Sequence, residues 1–284
     1  MRLLGLSDLH CNHRGQMEAL AAMPAHPSDW LLAVGDLSER PEVLDEALGI
    51  LTARFAKVIW VPGNHELWSL GEDAPRGVDK YLQMVDVCRA HGVHTPEDGW
   101  LRWPGSVAPL AIVPLFLLYD YTFGPDDLTP DEAVAWARES GLQCADEVLL
   151  HADPFPSRAA WCRARVAQAE ALLATVPPDH QTVLVNHWPL RRDLTRVPRI
   201  PRFTIWCGTR ATEDWHVRYR AAVVVSGHLH VRATDWRDGV RFEEVSLGYP
   251  RDWSAEKGVD AYLREILPGP SDAMEGDAGP VWRR

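Results

Sequence analysis

Apolar runs of strand length recur along the chain at Leu3 to Leu6, Trp30 to Val34, Val58 to Val61, Leu110 to Leu118, Thr182 to Val185 and Ala222 to Val225. Several are rich in β-branched residues, and this pattern predicts strands. Between them apolar positions fall at helical spacing. Leu44, Ala47, Leu48 and Leu51 mark one helix, with Pro41 suited to its first turn. Tyr81, Leu82, Val85 and Cys88 mark a second that closes at Gly92. A third starts at Ser157 and runs to about Thr175, carrying Trp161, Val166, Ala169, Leu172 and Leu173 before Pro177-Pro178 stops it. The order β-α-β-α-β followed by further strands predicts sheets inside and helices outside. Asp238-Gly239, between Val231 to Trp236 and Val240 to Val245, predicts a hairpin and therefore a mixed rather than wholly parallel sheet.

With 284 residues, 46% of them hydrophobic, the chain can bury a sizeable core as one large domain, expected over residues 1–267. Residues 120–156 read as a Pro- and Asp-rich insertion with at most one helix, near Pro130 to Ser140. Residues 268–284 read as a loosely held tail, being poor in large apolar groups. A net charge of -11 argues against general nucleic-acid or anionic-membrane binding, which needs a basic face. Five scattered cysteines without C-x-x-C spacing indicate neither a disulfide framework nor a structural zinc site. No apolar stretch reaches membrane-spanning length and the first residues are too short for a signal-peptide core, so a cytoplasmic protein is expected.

Five short motifs follow the predicted strands: Asp8-x-His10, Gly35-Asp36, Gly63-Asn64-His65-Glu66, Asn186-His187 and Gly227-His228-x-His230. Side chains at the carboxyl ends of several strands converge on one crevice in layered α/β sheets. Two carboxylates, four imidazoles and an amide suffice for two divalent metals with one bridging group, and a carboxylate such as Asp36 can bridge. Two such ions about 3.5–4 Å apart neutralise a phosphate and generate hydroxide near neutral pH. Mixed imidazole and carboxylate donors favour Mn, Fe, Co, Ni or Zn over Mg and Ca. His151, after Val148-Leu149-Leu150, is a second candidate for the lone-histidine role of His187.

The five blocks, in this order over residues 8 to 230, resemble the calcineurin-like metallophosphoesterase superfamily, whose signature is D-x-H, G-D, G-N-H-[D/E], a lone His and G-H-x-H. The resemblance implies a four-layer αββα sandwich, two mixed β-sheets flanked by helices. It implies that Asp8, His10 and His230 bind one metal, that Asn64, His187 and His228 bind the second, and that Asp36 bridges. By the same resemblance His65 contacts the phosphate and helps protonate the leaving oxygen, a role that suits a neutral-range imidazole. Glu66 or another carboxylate is expected to orient His65.

The expected activity is hydrolysis of a phosphoester in a small anionic, nucleotide-like substrate, with a diester favoured over a monoester. From Arg191 to Arg220 there are eight arginines and three acids, a basic island in an acidic chain. Because arginine clamps phosphate in two-point contacts, Arg191, Arg192 and Arg202 are candidate substrate contacts within a specificity segment, residues 188–220, together with Trp206 and His13. Gly35-Asp36-Leu37-Ser38-Glu39-Arg40-Pro41 lacks the second Asp and last Gly of the protein phosphatases' G-D-x-x-D-R-G. A non-catalytic scaffold of the same fold is the alternative from another class, disfavoured because every ligand position and His65 is filled.

Overall fold

The structure, a computed structural model, describes residues 1–269 and 276–283. Its first part runs β1 (Leu3–Leu6), α1 (Gln16–Ala21), β2 (His26–Ala33), α2 (Pro41–Arg54), β3 (Phe55–Trp60), α3 (Gly77–Ala90), β4 (Leu101–Arg102) and β5 (Leu110–Pro114). Then come α4 (Pro130–Arg138), α5 (Asp146–Leu149), α6 (Arg158–Leu173), β6 (Gln181–Val185), α7 (Trp215–Arg218), β7 (Ala221–Ser226), β8 (Ala233–Arg237), β9 (Val240–Glu244), β10 (Arg264–Leu267) and β11 (Ala278–Trp282). Among the described residues these strands form two mixed sheets, ordered β10-β1-β2-β3 and β11-β8-β9-β7-β6-β5-β4. β1, β2 and β3 are parallel, as are β5, β6, β7 and β9, while β10, β11, β8 and β4 pair antiparallel.

The central strands are continuous apolar runs because both of their faces are covered. Side chains alternate along each one. Leu32, Val34, Ile59 and Val61 share a core with Val183, Val185, Val223 and Val225 of the second sheet. Their neighbours Leu31, Ala33, Val58 and Trp60 pack instead on Leu44 and Leu48 of α2 and on Met84 and Val85 of α3. On the opposite side Leu184 and Val224 meet Ala169 and Leu173 of α6 and Trp215 of α7. The layers are therefore helix, sheet, sheet, helix, the αββα sandwich that the resemblance implied.

Local signals explain most boundaries. α2 starts at Pro41, α6 is capped by the Ser157 hydroxyl accepting from Ala160 N–H at 3.1 Å, and β8 and β9 form the expected hairpin. The apolar run from Leu110 leaves the strand at Pro114, and the Leu117 N–H is taken by the Asn186 side-chain oxygen at 3.0 Å. The 120–156 segment holds two helices, not one. Thr129 and Glu132 form a capping box for α4, and the four-residue α5 follows.

The tail also differs from expectation. Residues 270–275 and 284 lie outside the described residues, but Ala278–Trp282 forms β11 and pairs with β8. Buried Glu243 accounts for this anchoring: it accepts from Arg241 at 3.1 Å, Arg264 at 2.6 Å and Arg283 at 2.7 Å. An ion cluster, rather than apolar burial, holds the strand, so hydrophobic patterning gave no sign of it. No described helix is long and apolar enough to cross a membrane.

Candidate metal centre

Each motif begins where a strand ends, and the tight loops interlock through their backbones. Asp8 N–H donates to Gly35 C=O at 2.9 Å, His10 N–H to Asp36 C=O at 2.9 Å, and Gly227 N–H to His187 C=O at 2.9 Å. Asp8, His10, Asp36, His228 and His230 all have positive φ, between 43° and 72°. Such angles are uncommon outside glycine and persist only where the surroundings enforce them. Two glycines are fixed by contact rather than conformation. A Cβ on Gly63 would lie 2.1 Å from Asp36 Oδ1, and one on Gly227 would lie 2.0 Å from Ser7 Oγ and 2.6 Å from Asp8 Oδ2. Gly63→Ala is therefore expected to displace Asp36 and reduce metal content and turnover together, measured by metal analysis and steady-state kinetics; unchanged metal content would contradict the contact.

The side chains gather into three overlapping groups of potential ligands: Asp8, His10 and His230; His10, Asp36 and His65; and Asp36, His187 and His228. His230 Nε2 is 3.0 Å from Asp8 Oδ1 and 3.2 Å from His10 Nε2. Asp8 Oδ2 is fully engaged, accepting from Ser7 Oγ at 2.5 Å, Ser246 Oγ at 2.7 Å and His228 N–H at 3.0 Å. Its Oδ1 is left facing the histidines. His187 donates its Nδ1–H to Val34 C=O at 2.7 Å, which leaves a lone pair on Nε2 when the ring is neutral. That Nε2 is buried, has no hydrogen-bond partner among the described residues, and lies 3.5 Å from Asp36 Oδ2. With the ring neutral, that lone pair and the Asp36 carboxylate would face each other, an arrangement relieved by a proton or a metal cation, and the histidine, carboxylate and amide set suits a divalent metal.

The electrostatics agree. Burial opposes ionisation of Asp8, but His230, His187 and His10 outweigh it and hold the carboxyl well below the usual range. Asp36 is likewise depressed against its burial, chiefly by His187 and His65. Burial lowers His10 to about 4 and His228 to about 3. For His187 and His230 the nearby carboxylates overcome burial and raise the rings to about 9 and about 10. Without metal, His187 and His230 thus hold protons at pH 7, and a ligand imidazole must lose its proton. Metal uptake at pH 7 is expected to release protons and to weaken as the pH falls; calorimetry in buffers of different ionisation heat checks this, and uptake without proton release would contradict it.

Glu66 does not orient His65. Its carboxylate accepts from the N–H groups of Asp36 at 2.8 Å, Leu37 at 2.7 Å and Gly63 at 2.8 Å, so it holds the Gly35-Asp36 loop. Burial and Asp36 push it up to about 7. The carboxylate beside His65 is Glu39, 3.6 Å from Nδ1, while His65 Nε2 lies 3.9 Å from Asp36 Oδ2. The Trp68 ring packs over His65 with centroids 3.7 Å apart. Asn64 donates Nδ2–H to buried Asp146 at 3.0 Å and turns Oδ1 to His228 Nδ1, 3.1 Å away.

A cavity of about 560 Å³ opens on Asp36, Asn64, His65, His228 and His230. Val197, Ile200, Phe203, Leu229 and Val231 contribute apolar lining, and Arg196, Arg199 and Arg251 contribute charge. Arg191, Arg202 and Trp206, three of the five residues expected to contact substrate, are engaged elsewhere, and Arg192 and His13 lie outside the cavity lining. Arg191 pairs with Asp193 at 2.9 Å and donates to Glu213 C=O at 3.2 Å; the Arg192 N–H faces Glu213 Oε1 at 3.2 Å. Arg202 pairs with Glu139 at 2.9 Å and stacks on Trp136, and buried Trp206 donates to Glu147 at 2.8 Å. His13 sits beside Tyr249 with centroids 5.2 Å apart, outside the cavity lining. Proximity in sequence to His187 gave no direction, because Arg191 and the Arg192 backbone meet Glu213, while this segment lines the cavity only from Arg196 onward. His151 lines a different cavity, with Asp153 and Arg158. Arg199, Arg251, Glu39 and Asp146 were not singled out, and only Arg199, inside the basic island, carried any signal in the sequence.

Comparison with known proteins places this geometry in context. A family model described as calcineurin-like phosphoesterase matches residues 1–232. The chain is 46% identical over 275 residues to the "[Acyl-carrier-protein] phosphodiesterase PptH" of Mycobacterium tuberculosis, covering 95% of this chain and 85% of that protein. The crystal structure of phosphopantetheinyl hydrolase (PptH) from Mycobacterium tuberculosis superposes with a TM-score of 0.90 at 45% identity, covering 96% of this chain and 98% of that one.

Proposed function

Since this chain belongs to the calcineurin-like phosphoesterase family and is a phosphoric ester hydrolase, we propose that it is a phosphodiesterase acting on a phosphopantetheine-type group carried by an acyl carrier protein. The relative's name motivates this substrate, and one observation in this chain carries it. The cavity of about 560 Å³ extends from Asp36 and His228 along the apolar side chains Val197, Ile200 and Phe203. A compact phosphomonoester needs no such gallery, whereas a long arm joined through a phosphodiester fills one. The small free substrate expected from the sequence gives way here to a protein-borne group.

Two divalent ions, one among Asp8, His10 and His230 and one among Asn64, His187 and His228 with Asp36 between them, would neutralise the phosphodiester and lower the pKa of water at the site. The chain's own residues do the rest. Ser7, Ser246 and the His228 N–H fix one oxygen of Asp8 so that the other keeps its direction. Glu66 fixes the backbone that carries Asp36. His65 stands beside Asp36 and donates a proton to the departing carrier oxygen. The bond between phosphorus and that oxygen breaks, the hydroxyl of water remains on phosphorus while its other proton passes to solvent, His65 is reprotonated from solvent, and the arm leaves as a phosphomonoester.

The test is to incubate metal-loaded protein with phosphopantetheinylated carrier protein and follow its intact mass. Loss of the phosphopantetheine mass is expected. An unchanged carrier, with a small diester such as bis(p-nitrophenyl) phosphate still cleaved, would overturn the substrate reading alone. Exposed Arg199 and Arg251, which line the same cavity, are expected to serve the anionic macromolecule. Arg199→Ala and Arg251→Ala should each raise KM for the carrier by about two- to fivefold, the scale of exposed ion pairs, with the effect fading in salt. Equal effects on the small diester would remove that role.

A further inference from the structure

We infer that Asp146, a residue of the 120–156 segment outside every motif, is a positioning residue for both halves of the centre: one of its oxygens sets which face Asn64 presents to the metal and pins the indole that backs His65. The inference rests on the reading of Asn64 as a metal ligand. Asp146 is completely buried, at 0% exposure. Its Oδ1 accepts from Asn64 Nδ2 at 3.0 Å and from Trp68 Nε1 at 2.7 Å, while Oδ2 has no hydrogen-bond partner among the described residues.

The Trp68 indole N–H can only donate, so Asp146 Oδ1 is an acceptor at this point and the Asn64 amide turns its nitrogen toward it. The amide oxygen, the atom able to coordinate a cation, then necessarily faces His228. The two ends of an amide are nearly the same shape, and without an acceptor at this point nothing in the contact would prevent a flip that presents NH₂ to the site. The same oxygen holds Trp68, whose ring lies 3.7 Å from that of His65. A displaced indole would release the imidazole from its backing.

Asp146 is itself held firmly. Arg158 Nη2 donates to the Asp146 backbone C=O at 3.1 Å and to Glu147 at 2.9 Å. Glu147 also accepts from Tyr121 at 2.9 Å and from Trp206 at 2.8 Å. Ser69 N–H donates to Leu149 C=O at 2.9 Å, so the far end of α5 is tied to the chain just past Trp68. Trp206 therefore acts at one remove, by bracing the helix that carries Asp146.

The experiment measures manganese bound per chain by equilibrium dialysis, alongside turnover of two diesters, one with p-nitrophenolate and one with an alkoxide as leaving group. Asp146→Ala is expected to weaken one of two manganese ions by about ten- to a hundredfold, the usual effect of losing a residue that orients a ligand. Asp146→Asn should bind both within about threefold of wild type, because its carbonyl can accept both donors. Trp68→Phe, which lacks the indole N–H, should keep both ions but slow the alkoxide diester more than the nitrophenyl one.

If Asp146→Ala does not fold, a swapped pair decides. Asn64→Asp sets two carboxylates against each other and should lose an ion, and adding Asp146→Asn should restore it. Wild-type manganese affinity in Asp146→Ala, no restoration in the swapped pair, or equal slowing of both diesters by Trp68→Phe would overturn the inference. These readouts use no carrier protein, so failure to cleave a carrier leaves them intact. Wild-type protein that binds no manganese would instead overturn the metal reading beneath it.

Discussion

Asp36→Ala is expected to abolish phosphodiester hydrolysis and to lower the metal content of the purified protein. Asp36 is shared by two of the three ligand groups, one with His10 and His65 and one with His187 and His228. Its two oxygens have separate tasks: Oδ1 accepts the His65 N–H at 2.9 Å, and Oδ2 lies 3.5 Å from His187 Nε2. Removing the side chain would take the anion from between the two proposed cations and free the loop that carries His65. Metal ions contribute several kcal/mol of transition-state stabilisation, and forfeiting about 4 kcal/mol is roughly a thousandfold in rate. Asp36→Asn separates charge from shape: it keeps an acceptor for His65 N–H but should lose metal and activity nearly as completely. Elemental analysis with steady-state kinetics checks both, and a variant with wild-type metal content and turnover would remove Asp36 from the centre.

His65→Ala is expected to keep its metals and to slow the cleavage of alkoxide diesters by about 10²–10⁴-fold, the usual contribution of a general acid. Nitrophenyl esters, whose leaving group needs no proton, should be affected far less. Equal slowing would reduce His65 to a binding residue. The pH dependence has a definite sign. Burial lowers the His65 pKa, but Asp36 and Glu39 outweigh it and the net shift is upward. A raised pKa keeps the ring protonated further into the neutral range, so the rate should fall as the pH rises through it. When cations engage Asp36, Glu39 at 3.6 Å is the carboxylate left to support the proton. Glu39→Gln should therefore move the alkaline limb of the kcat profile to lower pH, and an unmoved limb would break the link between the two residues.

The fold was legible because its strands obey a local rule. Leu31-Leu32-Ala33-Val34 and Val223-Val224-Val225 bury both faces, one on the partner sheet and one on helices, so each appears as an apolar run ending in a motif. Gly63 and Gly227 mark the loops where a neighbouring chain passes too close for any Cβ. Directions inside loops were not legible. Glu66 is next to His65 in sequence, yet its carboxylate turns back to Gly63, Asp36 and Leu37, while Glu39 arrives from the preceding loop. Arg191 and Arg192 follow His187 closely but serve the 213–216 turn, whereas Arg199 reaches the cavity. Asp146 had no pattern to betray it, because its function depends on Asn64 and Trp68, some eighty residues earlier. β11 was hidden for a related reason, since buried Glu243 and Arg283 hold it by charge across the sheet.

Anomalous diffraction from crystals of the protein grown with manganese tests the metal-dependent phosphodiesterase most directly. Two peaks are expected, one touching Asp8, His10 and His230 and one touching Asn64, His187 and His228, with Asp36 reaching both. A cleft in which no peak, or only one, lies within coordination distance of Asp36 would contradict it.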